Sequence, residues 1–77
     1  MENILKLHEA IVVVLINIES RSATTTFIAH EINLRILYKR KDGKALPAYQ
    51  VKQRAFLSNG KYHSLFQFIK PDILKLK

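Results

Sequence analysis

The chain has no cysteine, two glycines, two prolines and six acidic residues among its 77 positions. Without cysteine, neither a disulfide framework nor a thiolate metal site can supplement a small core. Stability must come from packing, with help from a partner or a second copy if the core falls short. The same absence fits a cytoplasmic setting. Gly43 and Gly60 stand alone, so no glycine-rich loop is present to cradle a phosphate. The acids are scattered and offer no general acid–base pair. His8, His30 and His63 fall in separate elements with no carboxylate at ligand spacing, and His30-Glu31 lacks the second histidine of a zinc-protease helix because Leu34 stands there. Thr24–Thr26 suit helix capping better than nucleophilic attack. No metal, no cofactor and no catalysis are expected. The apolar run Ala10–Ile16 is closed by Asn17 and Glu19, far short of a bilayer span, and no small-residue cleavage site follows it.

What the chain does have is a net positive charge, all of it carried by one half. Residues 1–38 hold Lys6, Arg21 and Arg35 against Glu2, Glu9, Glu19 and Glu31, a balance of −1. Residues 39–77 hold ten Lys or Arg against Asp42 and Asp72, a balance of +8. Segregated charge of this kind builds a local potential suited to a polyanion. A solvated basic face is the plainer alternative. At this length one domain with one modest core is expected, spanning 1–77.

Apolar spacing predicts a first helix over residues 2–18, with Ile4, His8 or Leu7, Ile11, Leu15 and Ile18 on one face. Val13 falls outside that face, so this helix is expected to be central or to be partly covered in a homodimer. Glu19–Ser22 reads as a polar break. Thr24 is the expected N-cap of a second helix whose inward face is Ile28, Ala29, Ile32 and Ile36, with Glu31 and Arg35 paired outside. A basic connector with an Asp42-Gly43 turn leads to a third helix from Pro47 or Ala48 to about Leu57, with Val51 and Ala55 inward and Ser58-Asn59-Gly60 as its end. Alternation then predicts a hairpin, Leu65–Ile69 and Ile73–Lys77 around a Lys70-Pro71-Asp72 turn, with Phe66, Phe68, Leu74 and Leu76 on the buried face.

Three helices followed by a C-terminal β-hairpin wing is the order of a winged helix, an α+β fold. Thr24–Asn33, Leu37-Tyr38, Lys41-Asp42-Gly43, Gln50-Val51 with Arg54, Leu65-Phe66 and Ile73–Leu76 carry a closer likeness. In order and spacing they resemble the HARE-type winged helix-turn-helix modules, over most of the chain from residue 5 onward. The chain departs from that pattern in two ways: Phe27 replaces an acidic residue after the threonine cap, and Phe56-Leu57 add apolar bulk late in the third helix. The resemblance implies a role in DNA binding or transcription regulation, of bacterial type, beside restriction, repair or transcription proteins.

In such a fold the third helix enters the major groove. Tyr49, Gln50, Lys52 and Gln53 are the candidates for base edges, since glutamine can pair with adenine through two bonds and lysine can donate to guanine or phosphate. Lys39, Arg40, Lys41, Lys44, Arg54, Lys70 and Lys75 are the candidates for phosphates, with Arg54 equally suited to pairing at the edge of the core. The expected partner is double-stranded DNA, with a homodimer through the first helix and no membrane. The rival is a protein-interaction module of the same fold, using Phe56-Leu57 and the first helix as contact surfaces. An RNA-binding reading shares the charge but lacks an exposed aromatic platform, as Tyr49 alone is placed away from the core pattern.

Overall fold

The computed structural model describes residues 5–57, 62 and 64–77, and for Leu57 the backbone only. Ile4, His63 and the Ser58-Asn59-Gly60 helix end lie outside the described residues. The chain folds as α1 (Leu7–Ile16), β1 (Ser22–Thr24), α2 (Thr25–Arg35), α3 (Ala48–Lys52), a π-helical turn (Gln53–Leu57), β2 (Phe66–Ile69) and β3 (Ile73–Leu76).

The first helix starts later than its apolar pattern predicts. Lys6 is extended, and its amide donates to the Glu9 carboxylate at 2.8 Å, which caps the helix from within its first turn. At the other end the Asn17 amide donates to the Val13 carbonyl at 2.8 Å, and the Arg21 guanidinium donates to the Ile16 carbonyl at 2.7 Å. Two orphan carbonyls are thereby satisfied, and a cation sits at the negative end of the helix. Leu7 takes the buried position rather than His8, joined by Ala10, Ile11, Val14 and Leu15.

The Glu19–Ser22 break ends in a strand that local pattern does not announce. β1 pairs antiparallel with β3 in the register Ser22↔Lys75, Ala23↔Leu74, Thr24↔Ile73, and β2 pairs with the other edge of β3. The result is a three-stranded antiparallel sheet, order β1-β3-β2, so the hairpin does not stand alone as a wing. Phe66, Phe68, Leu74 and Leu76 share the inward face, with Phe66 and Leu74 buried. The turn is tied down as well. Thr25, itself buried, donates from its hydroxyl to the Asp72 carboxylate at 2.6 Å and from its amide to the Asp72 carbonyl at 3.0 Å.

Thr24 caps α2 as expected, its hydroxyl accepting from the Phe27 amide at 3.1 Å, and Ile28, Ala29 and Ile32 face inward. Glu31 and Arg35 pair at 2.9 Å. Ile36 does not continue that buried face. It adopts the left-handed conformation (φ 54°), closes the helix through bonds from Ile36 N–H to Asn33 O and from Leu37 N–H to Ile32 O, and is 64% exposed. A helical period cannot be extended through a left-handed residue, and so the side chain swings outward. The core lies between the three helices and the sheet: Ile11 and Leu15, Ile28 and Ile32, Val51 and Ala55, Leu46, Phe66 and Leu74. The layout is mixed α+β, with three helices and a small antiparallel sheet, and is compatible with a winged helix. No helix among the described residues is long and apolar enough to cross a membrane.

Candidate nucleic-acid interface

The connector between α2 and α3 is held at its far end and at its tip. At its far end Asn33 of α2 clamps Leu46: its side-chain amide donates to the Leu46 carbonyl at 3.0 Å and accepts the Leu46 amide at 2.8 Å. This paired contact satisfies two backbone groups as a neighbouring strand would, and it seats Leu46 in the core. At the tip Arg40–Gly43 form a turn, with the Gly43 amide donating to the Arg40 carbonyl at 3.0 Å. Gly43 has φ 75°, a conformation in which a β-carbon is strained. Asp42 serves the same turn twice, accepting the Lys44 amide at 3.0 Å and pairing with the Arg40 guanidinium at 3.0 Å.

The cations of this connector are therefore not equivalent. Lys39, Lys41 and Lys44 are exposed, whereas Arg40 is half-buried and held by Asp42. Arg40, Lys41 and Asp42 line a hollow of about 320 Å³ with Tyr38 and with Gln50 of α3. The fold thus brings the connector's basic tip beside the first turn of the third helix.

On α3 the four base-edge candidates diverge. Tyr49 is 66% exposed, and Gln53 is exposed where the π-helical turn begins. Lys52 is half-buried, with its ammonium 4.9 Å from the centroid of the Phe68 ring, so it bridges the helix to the hairpin. Gln50 is half-buried, and its Oε1 is buried with no hydrogen-bond partner among the described residues. Val51 and Ala55 anchor the opposite side of the helix in the core, and Arg54 is exposed rather than drawn inward. The widened π turn places Phe56 against Phe68, ring centroids 4.7 Å apart. Phe56 is half-buried there, so it forms no outward patch, and the Leu57 side chain lies outside the description.

Compared with known proteins, the chain matches no family model, no curated protein and no solved structure.

The hairpin contributes two exposed lysines. Lys70 stands at the turn that Asp72 fastens to α2, and Lys75 lies on the outer face of the central strand between Ser22 and Gln67. Ring packing of His8 on Tyr62, at 4.4 Å, joins α1 to the segment preceding β2. No three His, Asp or Glu among the described residues come together as metal ligands. The features that sequence reasoning missed are the Asn33 clamp, the buried carbonyl of Gln50 and the exposed apolar side of α2. That side carries Phe27 and Leu34, seven residues apart on one helical face, with Ile36 beyond them. Periodicity carried a signal only for the last, since Phe27 and Leu34 share a face that excludes Ile28 and Ile32.

Proposed function

We propose that this chain is a non-catalytic winged-helix module, of the HARE-type resemblance, that binds double-stranded DNA as a regulator or as a DNA-targeting part of a larger system. One observation carries the reading: the basic tip of the connector, Arg40 and Lys41, adjoins the first turn of α3 at Gln50. A groove-reading helix needs this arrangement, because phosphate contacts fix register while side chains of the helix reach base edges. Support also comes from the sheet order, in which the strand before α2 joins the C-terminal hairpin, and from the +8 balance of residues 39–77. Lys39, Lys41, Lys44, Arg54, Lys70 and Lys75 supply the phosphate contacts, with Arg40 held in reserve by Asp42. Tyr49, Gln50 and Gln53 supply the reading edge.

The test is a fluorescence-anisotropy titration of duplex DNA across a salt series. A non-specific dissociation constant of about 10⁻⁴–10⁻⁶ M is expected at physiological salt, with a log–log slope of about −4 to −5 from four to six phosphate contacts. No binding at about 50 mM salt refutes the reading. The second reading is a protein-interaction module. It is favoured by the exposed apolar side of α2 formed by Phe27, Leu34 and Ile36.

A further inference from the structure

The hollow beside α3, about 320 Å³ in volume, is walled by Tyr38, Arg40, Lys41, Asp42 and Gln50. Gln50 Oε1 is buried and meets no hydrogen-bond partner among the described residues, so the polar atom this residue can offer the hollow is its NH₂. Turning the amide over would bury two N–H donors in place of one oxygen, and an orphaned buried N–H is the rarer state. Lys41 brings three donors and no acceptor, and the Arg40 guanidinium has N–H groups beyond those it gives to Asp42. The carboxylate in the wall is already engaged. One Asp42 oxygen takes the Arg40 guanidinium at 3.0 Å and the other takes the Lys44 amide at 3.0 Å. Arg40 and Lys41 against Asp42 leave the hollow a balance of +1. A phosphate diester presents acceptor oxygens and one negative charge, and so answers both the donors and the charge. A base edge carries no charge to answer Lys41.

We infer that the hollow seats one backbone phosphate of duplex DNA, with the Gln50 NH₂ donating to a phosphate oxygen between Arg40 and Lys41. This inference rests on the DNA-binding reading and moves Gln50 within it, from the reading edge to the backbone, leaving base edges to Tyr49 and Gln53. Its consequence is register. An exposed lysine such as Lys44 can follow the backbone as it shifts, whereas a seat walled by half-buried Arg40 and Gln50 takes one phosphate in one place. The first turn of α3 is thereby fixed along the groove.

The experiment titrates the full chain, wild type and Gln50→Met, with an A·T-rich and a G·C-rich duplex of equal length over a salt series. Methionine keeps the length of the side chain and removes its NH₂. The variant is expected to bind both duplexes about 3–10-fold more weakly, the value of one hydrogen bond, at an unchanged salt slope because a neutral donor displaces no counterion. A loss confined to one duplex shows Gln50 reading bases and overturns the inference, as does a fall in the salt slope. A second measurement, on wild type alone, decides the matter should the variant not fold. The side-chain NH₂ proton resonances of Gln50 are expected to shift on addition of either duplex, and resonances that neither duplex moves overturn the seat. Resonances that move with millimolar inorganic phosphate but with neither duplex assign the hollow to a free phosphate compound and overturn the backbone assignment. Wild type that binds neither duplex refutes the DNA reading itself. Wild type that binds both, with Gln50→Met binding as tightly, leaves that reading standing and overturns only the seat.

Discussion

The Asn33 clamp makes the sharpest prediction about how the basic connector is held. Replacing Asn33 by Ala removes two hydrogen bonds, 3.0 and 2.8 Å long, from a part-buried site and leaves the Leu46 amide and carbonyl without partners. Each bond contributes about 0.5–1.5 kcal/mol net, and the stranded backbone groups push the total toward about 2–3 kcal/mol. In a domain of this size each kcal/mol moves the melting temperature by about 4–8 °C, so a fall of roughly 10–20 °C is expected. Asn33→Asp separates the two bonds. It keeps an acceptor for the Leu46 amide but turns a second oxygen toward the Leu46 carbonyl, acceptor against acceptor. At neutral pH it should be more damaging than Ala. The native environment disfavours the charged carboxylate and so raises its pKa above the unfolded value of about 3.9. The variant therefore regains stability as pH falls toward that range and loses it as pH rises. Limited trypsin digestion gives a local readout, because Lys39, Arg40, Lys41 and Lys44 all lie in the released segment. Faster cleavage there is expected in both variants below their melting temperatures. A melting shift smaller than about 2 °C for Asn33→Ala, with unchanged cleavage at residues 39–44, would refute the clamp.

Four further outcomes follow from the geometry. Lys41→Ala should weaken binding to every duplex alike and reduce the salt slope by about one, checked by anisotropy at several salt concentrations. Ile36→Gly should stabilise the protein by about 1 kcal/mol in chemical denaturation, since an exposed β-branched residue occupies a left-handed position where glycine carries no steric penalty. Thr25→Val should cost about 1–2 kcal/mol through the lost 2.6 Å bond to Asp72, and amide exchange at β3 should accelerate. Sedimentation at tens of micromolar tests a homodimer through α1, where Val12 and Val13 are half-buried and Ile16 is exposed. The expected mass is twice the 8.9 kDa of one chain, and a single-chain mass refutes it.

Elements specified by neighbouring residues were legible in the sequence. The Thr24 cap, the Ile28–Ala29–Ile32 face, the Asp42-Gly43 turn, the inward Val51 and Ala55 and the four-residue face of the hairpin each depend on contacts within a few positions or on simple periodicity. Contacts that span the chain were not. Ser22-Ala23-Thr24 has no pattern of its own and becomes a strand only because the edge of β3 is open to it. Asn33 looks like any polar helix residue until Leu46 folds back upon it. Among the candidate site residues, spacing placed all four of Tyr49, Gln50, Lys52 and Gln53 on one outward surface. The hairpin draws Lys52 onto Phe68, and Gln50 is half-buried where it lines a hollow with Tyr38, Arg40, Lys41 and Asp42 of the connector. Helical period describes an isolated cylinder, whereas here two neighbouring segments rest against its sides.

The position of β3 sets an order of events for folding. Among the described residues β1 and β2 are not paired with each other; each pairs with the strand between them, and that strand follows both in the chain. Synthesis proceeds from the N-terminus, so α1, α2 and α3 are available to form local contacts while both outer strands still lack partners. The pairing of Thr24 with Ile73 closes a loop of nearly fifty residues, which is the slow kind of contact. A nascent chain therefore carries unpaired Ser22–Thr24 and Phe66–Ile69 edges until Ile73–Leu76 emerges, and one strand then satisfies both at once.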